Sequence, residues 1–411
     1  MEKHYSSHGA FRRVASINLI FVYFVVFYSS VCFAQIRINP ATDLKYAGAF
    51  RVPAAGIDYG GNALAYNPAN HSLIIAGHVV QNQTLEISIP TRISSSTNIN
   101  DLSLATVIQT PKDATNGTLS NIFPDASAGQ KYIYGHLVYN NKLIVSAVVG
   151  YDASCSQNKS VWRRSLDLSN SGETRGPVAV SQEPQSRLAG YMATIPSNYR
   201  SAFGYPALIG IAGLSISSCR SNGPTAVLFD PDAIATSDPT PGVMIVGYPQ
   251  NHPLVPDDTA QNQLWVQSST VRGAVFPEKS RTVLFYGRHA LGSYCYGDTP
   301  PCTDPCYSAK GQHMYPYAHY LWAYDALDLL AVKNGTKNYY DVKPYYYGEI
   351  KFPFGSADCA DAGGMAYDAL SNRIYISAMY HDGVNPIIYV FDIVNTELAP
   401  ESPKNLRIRG N

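Results

Sequence analysis

The sequence predicts an all-β chain: a five-bladed β-propeller of four-stranded antiparallel blades. Three observations carry that expectation. The phrase "GGNALAYNPANHSLIIAGH" at residues 60–78 returns as "GGMAYDALSNRIYISAMYH" at 363–381, each a glycine pair, an apolar stretch ending in Tyr, a polar turn, a second apolar stretch and a His. Four kinds of strand recur five times each, more than chance alternation supplies. The chain also opens with a strand kind that is missing from its last copy, so a ring can close.

The elements are named A to D from the axis outward. Inner A strands follow a glycine-rich lead: "GGNALAY", "YGHLVY", "GYPALIG", "VRGAVF" and "GGMAY". B strands follow a turn: "LIIAG", "LIVSAVV", "LSISS", "TVLFYG" and "RIYISA". C strands end in an acidic or polar stop: "TLEISIP", "RRSLDLS", "AVLFDPD", "LWAYDAL" and "IYVFDIV". D strands run to a proline: "AGAFRVP" (Pro53), "ATVIQTP" (Pro111), "GYMATIP" (Pro196), "VMIVGYP" (Pro249) and "YGEIKFP" (Pro353). These prolines lie 58, 85, 53 and 104 residues apart, so the strands hold and the loops vary. A β-helix has a far shorter period, and a sandwich needs no fourfold repeat. The opening strand Ala47–Pro53 is expected to pair with Ile388–Ile393, which removes an open edge at the seam.

Residues 1–34 read as a signal peptide. Lys3, Arg12 and Arg13 precede an apolar run from Leu19 to Tyr28, and small residues at Cys32 and Ala34 offer an exit. A membrane anchor would want roughly 20 apolar residues, and no other segment is long and apolar enough to span a bilayer. The propeller is expected over 35–396, with 397–411 a flexible tail or linker. A secreted product, extracellular or periplasmic, follows. Residues 35–411 carry a net charge of about −2, which argues against nucleic acid as a partner. Charged residues make up 15% of the chain, against roughly 25% in typical domains. The 31 tyrosines fill part of that gap and favour stacking and hydrogen bonding over ion pairing.

Six cysteines remain after the leader: Cys155, Cys219, Cys295, Cys302, Cys306 and Cys359. An even count in an exported chain reads as disulfides. The C-x6-C-x3-C spacing at 295–306 contains no zinc knuckle. Cys155 and Cys219 lie in B–C loops of neighbouring blades and are expected to bond. Cys359 should bond one of the other three, leaving two to pair locally.

D–A and B–C connections share one face of a propeller. All six cysteines fall there, as do His78, His252, His289, His313, His319 and His381, and so does the loop from Arg288 to His319 with Tyr294, Tyr296, Tyr307, Tyr315 and Tyr317. Long ordered loops on a rigid scaffold are usual places for binding. Aligning the inner strands at Ala63, His136, Pro206, Gly273 and Gly364 makes His136 an exception among small residues. With Asn62, Arg272 and Asp361 it is expected to surround the axial mouth. The competing reading is a plug in which these groups satisfy one another. His78, His289 and His381 end B strands and could join the ligand site from the rim. Imidazole and carboxylate are competent metal ligands, but radial repeats keep equivalent residues far apart, so no cofactor is expected and a bound metal ion is the lesser alternative. The aromatic loop reads as cover for the propeller top ahead of a stacking platform.

The stretches "GGNALAYNPANHSLIIAGH", "LWAYDALDLLAVKNG" and "GGMAYDALSNRIYISA" resemble a group of exported bacterial β-propeller proteins without an assigned activity. The resemblance implies an exported propeller and carries over no catalytic residue. From the residues, the favoured function is a monomeric binding module for a neutral polar ligand, such as a glycan, on the loop-rich face. One alternative is a glycoside hydrolase of the five-bladed arabinanase-like type, which needs two or three carboxylates at the axis, one of them a Glu acid. Asp58 and Asp361 reach that rim, and no Glu does. Another alternative is a structural role at the cell surface with a protein partner.

Overall fold

The computed structural model describes Met1 and residues 36–54, 56–123, 130–152, 155–157, 159–181, 188–212, 221–300 and 302–394. The expected signal peptide, the tail and Cys219 lie outside the described residues. Contacts divide the chain into Met1–Ala34 and Gln35–Asn411. The second unit is a five-bladed β-propeller.

The opening strand is β1 (Leu44–Arg51). Blade one holds β2 (Leu64–Asn67), β3 (Ser72–Ala76), β4 (Gln83–Ser88) and β5 (Val107–Asp113) in that spatial order. Blade two holds β6 (Lys131–Tyr139), β7 (Lys142–Val149), β8 (Val161–Ser165) and β9 (Arg175–Val178). The short β10 (Val180–Ser181) then runs parallel to the outer strand of blade three, which is built from β11 (Met192–Thr194), β12 (Ala207–Ile209), β13 (Ala226–Phe229) and β14 (Thr240–Val246). Blade four holds β15 (Thr270–Val275) and β16 (Thr282–Ala290). Its B–C loop carries a separate hairpin, β17 (Cys295–Gly297) and β18 (Gly311–His313), before β19 (Tyr317–Asp325) and β20 (Tyr346–Glu349) complete the sheet. Blade five holds β21 (Ala362–Asp368), β22 (Arg373–Asp382) and β23 (Asn385–Ile393), with β1 as its outer strand.

The ring closes as the sequence predicts. β1 pairs antiparallel with β23, with Phe50 opposite Ile388 and Ala49 opposite Tyr389. The two echoing glycine pairs are neighbours across the closure, where the Gly364 amide donates to the Gly61 carbonyl at 2.9 Å. A side chain at Gly364 would put its Cβ 2.3 Å from the Leu64 nitrogen, so the approach of the two inner strands demands glycine there.

One assignment needs correction. "GYMATIP" is not the outer strand of blade two but contains the inner strand of blade three, and "GYPALIG", not "LSISS", is that blade's second strand; "LSISS" lies outside the described residues. The outer strand of blade two is β9, paired with β8. Pro196 misleads because it precedes a helix, Ser197–Phe203, in the A–B connection rather than ending an outer strand. The axial alignment must accordingly replace Pro206 with the region of Tyr191 and Met192.

Blades pack face to face through their β-branched and aromatic residues. Trp162 and Trp322 are fully buried between neighbouring blades. Two of the largest polar groups inside the ring, Arg164 and Glu86, are well paired. Arg164 is fully buried and donates to the carbonyls of Asp113 and Leu168 at 3.0 and 2.9 Å. Burial tends to raise the Glu86 carboxyl, but donors from Ser72, Gln109, Asn70 and Asn67 hold its pKa below the ordinary value.

Candidate functional site

Inner strands come so close at the axis that their leading residues turn outward to the D–A/B–C face. At Gly135 a Cβ would lie 1.8 Å from the Gly190 carbonyl oxygen, and backbone bulges fall there, between Val271 and Gly273, and between Ala362 and Met365. The residues flanking these bulges line a cleft of about 260 Å³. Blade one gives Asn62, blade two Tyr132 and Tyr134, blade four Arg272, Arg288 and Tyr307, and blade five Asp361 and Tyr380.

Tyr132 and Tyr134 are two apart on β6 and so share a face; their rings stack at 5.6 Å with an interplanar angle of 7°. The Arg272 guanidinium carbon sits 4.0 Å from the Tyr134 ring centroid. Arg288 lies over two rings, 4.2 Å from Tyr307 and 4.5 Å from Tyr317. The Tyr307 hydroxyl donates to Asp361 Oδ1 at 2.8 Å and to the Cys359 carbonyl at 3.2 Å. A Cys306–Cys359 disulfide ties that loop to the start of the last blade. Burial pushes the Asp361 carboxyl above its ordinary pKa, opposed by the Tyr307 hydrogen bond and by Arg288 and Arg272.

The rim is built with strained backbone. Tyr59 and Tyr380 have φ of 59° and 61°, the left-handed region that side-chain-bearing residues seldom occupy. Their rings meet edge-on at 6.0 Å, and the His78 ring lies 5.4 Å from Tyr59. Such outliers persist where the surroundings over-determine them, commonly at binding sites.

The structure brings Asn62, Arg272 and Asp361 together and sends the four expected histidines elsewhere. His136 is buried below the cleft, beside a narrow axial channel of about 70 Å³. Its Nε2 lies 3.0 Å from Thr84 Oγ1 on the next blade, and burial depresses its pKa to about 3. It is a side chain packed between blades, larger than its neighbours because Thr84 gives it a partner. His289 is satisfied by Ser269 Oγ at 2.9 Å and the Asn262 carbonyl at 2.9 Å. His381 lies 2.7 Å from the Tyr389 hydroxyl and 3.3 Å from His319 Nε2. His78 stays half-buried at the outer edge, behind Tyr59.

Sequence reasoning missed Arg288, Tyr132, Tyr134 and Tyr380. Arg288 could have been found from register: it stands opposite Thr270, two positions before Arg272 on the facing strand. Among the described residues, no three His, Cys, Asp or Glu groups gather as a metal site would require. The disulfides Cys295–Cys302 and Cys306–Cys359 match the expected local pairing and the expected bond to Cys359. Cys155 is disulfide-bonded; its expected partner is outside the described residues. No helix among the described residues is long and apolar enough to cross a membrane.

No family model matches the chain, and no curated protein matches its sequence. Solved structures of similar shape include an arabinanase from Bacillus subtilis, 13% identical, covering 84% of this chain and 96% of its own, with a TM-score of 0.40. The α-L-arabinanase of Cellvibrio cellulosa complexed with arabinohexaose is 10% identical over 82% of this chain and 91% of its own, with a TM-score of 0.40. A gluconolactonase from Xanthomonas campestris is 10% identical over 87% and 95%, with a TM-score of 0.36. At such distances the likeness transfers no activity.

Proposed function

We propose that the protein is a secreted binding module that holds a glycan in the axial cleft. One observation carries the reading: four tyrosines, two guanidiniums, an amide and a carboxylate converge on a single cleft of about 260 Å³. Aromatic faces pack against the C–H faces of sugars, while fixed donors and acceptors orient the hydroxyls. Hydrolysis through paired carboxylates is less well supported, because Asp361 is the one carboxylate among the described residues lining the cleft. Disulfides fit an oxidising compartment outside the cytoplasm.

The test is a glycan array followed by calorimetry on the parent, Tyr134→Ala and Asp361→Asn. Each variant should lose about 10-fold in affinity, the worth of one ligand hydrogen bond or ring contact, with melting temperature nearly unchanged. A parent that binds no glycan, as a purely structural surface protein would, ends this reading. So does a pair of variants with parental affinity.

A further inference from the structure

The low charge of the whole chain, which favours a neutral ligand, does not extend into the cleft. Two guanidiniums, Arg272 and Arg288, face a single carboxylate among the described residues there, Asp361. Arg288 is held in place by the fold, although its Nε, too, is buried without a hydrogen-bond partner. It lies between Tyr307 and Tyr317, and Tyr307 connects it to Asp361. Arg272 is not accounted for. It makes no hydrogen bond or ion pair with any described residue, and its Nη1 is buried without a partner. Its guanidinium lies on the face of Tyr134, 4.0 Å away, and its charge reaches Asp361 and Tyr132 without a hydrogen bond to either.

A guanidinium held against a ring face keeps its N–H edge for a planar acceptor. Leaving a buried N–H unpaired is costly, and at the wall of a cleft a ligand acceptor can supply the missing partner. A carboxylate supplies the missing charge and the two in-plane acceptors that the guanidinium fork matches. Resting on the glycan reading above, we propose that the ligand is an acidic glycan containing a uronic acid, with Arg272 reading its carboxylate. A sulfate ester shares the charge but not the flat two-oxygen edge.

The experiment is calorimetry on the full chain with oligomers of galacturonate, glucuronate and mannuronate, each as free acid and as methyl ester, beside a sulfated galactan oligomer. At least one free acid should bind about 10- to 100-fold tighter than its ester, as a charge-assisted hydrogen-bond pair implies. That preference should shrink in high salt. Arg272→Gln should erase the acid-over-ester preference, and Arg272→Lys should keep part of it. Equal binding of acid and ester, or a preference that survives Arg272→Gln, overturns the inference and leaves the glycan reading standing. Tighter binding of the sulfated oligomer than of any uronate also overturns it. Failure of every acid while neutral glycans bind on the array does the same; failure of every glycan removes both readings. If Arg272→Gln proves misfolded by melting, the acid and ester comparison on the parent still decides.

Discussion

Blade five and blade three sit in the same ring and are built differently. Blade five has strands of seven to ten residues, closed by β1, and it gives the cleft Asp361 and Tyr380. Blade three has inner strands of three and four residues, and none of its described residues lines the cleft. Its short strands are fully buried, and a helix adds Tyr199 and Phe203, which pack on Phe276 of the next blade. The contrast shows that the cleft end of the axis is one-sided. Blades four, five, one and two build the cleft, and blade three completes the ring beneath it.

The largest expected effect strikes the seam. Deleting residues 35–53 removes β1, which supplies the last ladder of blade five, and with it the buried Ala49, Phe50 and Val52. Without it β23 presents an open edge and the ring cannot close. The truncated chain should lose its cooperative melting transition altogether. A truncation that melts as the parent does would show that blade five stands without its borrowed strand.

Why the seam was legible and blade three was not follows from strand length. Strands such as "AGAFRVP" and "IYVFDIV" run apolar over enough residues for both their identity and their pairing to be read. A three-residue strand shows no period, so the proline that ends "GYMATIP" points to the wrong strand kind. At the site, Asn62, Arg272 and Asp361 were legible because they lead inner strands. His136, His289 and His381 shared their face but not their role, since burial and hydrogen bonding depend on neighbours far away in the chain. Thr84 is 52 residues from His136, for example. Tyr307 was visible within an aromatic loop, yet its hold on Asp361 needed the 306–359 disulfide to be placed.

Acid should separate the two regions next. His289 is buried and its pKa is lowered to about 4 by desolvation; the His319–His381 pair is lowered by the same cause. Groups with depressed histidine pKa values are neutral in the fold but protonate near 6.5 once unfolded. Stability is therefore intact above pH 6.5 and declines as pH falls from 6.5 toward 4, by roughly 3 kcal/mol for His289 alone. These histidines lie in blades four and five, whereas residues 188–250, spanning blade three, contain none. Hydrogen exchange compared at pH 7 and pH 4.5 should show β16, β19 and β22 losing protection before β12 and β13. Uniform loss, or earlier loss in blade three, would mean that the buried histidines do not set the acid limit.

The smallest effect is also the most local, and it tests whether blade five positions the cleft or merely borders it. Cys306–Cys359 spans 53 residues and joins the aromatic loop of blade four to the segment that leads into Asp361. Cys295–Cys302 spans 7 and stays within its own loop. Chain entropy alone makes the first worth about 4 kcal/mol and the second about 2 kcal/mol. Replacing each pair by serine should lower the melting temperature in that order. Only the first replacement should also weaken ligand binding, because Tyr307 follows Cys306 directly and donates to the carboxylate two residues beyond Cys359. Releasing the tether lets that hydroxyl swing away from Asp361, and with it the ring that carries Arg288. Calorimetry on both double-serine variants decides the matter. Equal affinity in the two would mean that Tyr307 and Asp361 hold each other without the disulfide.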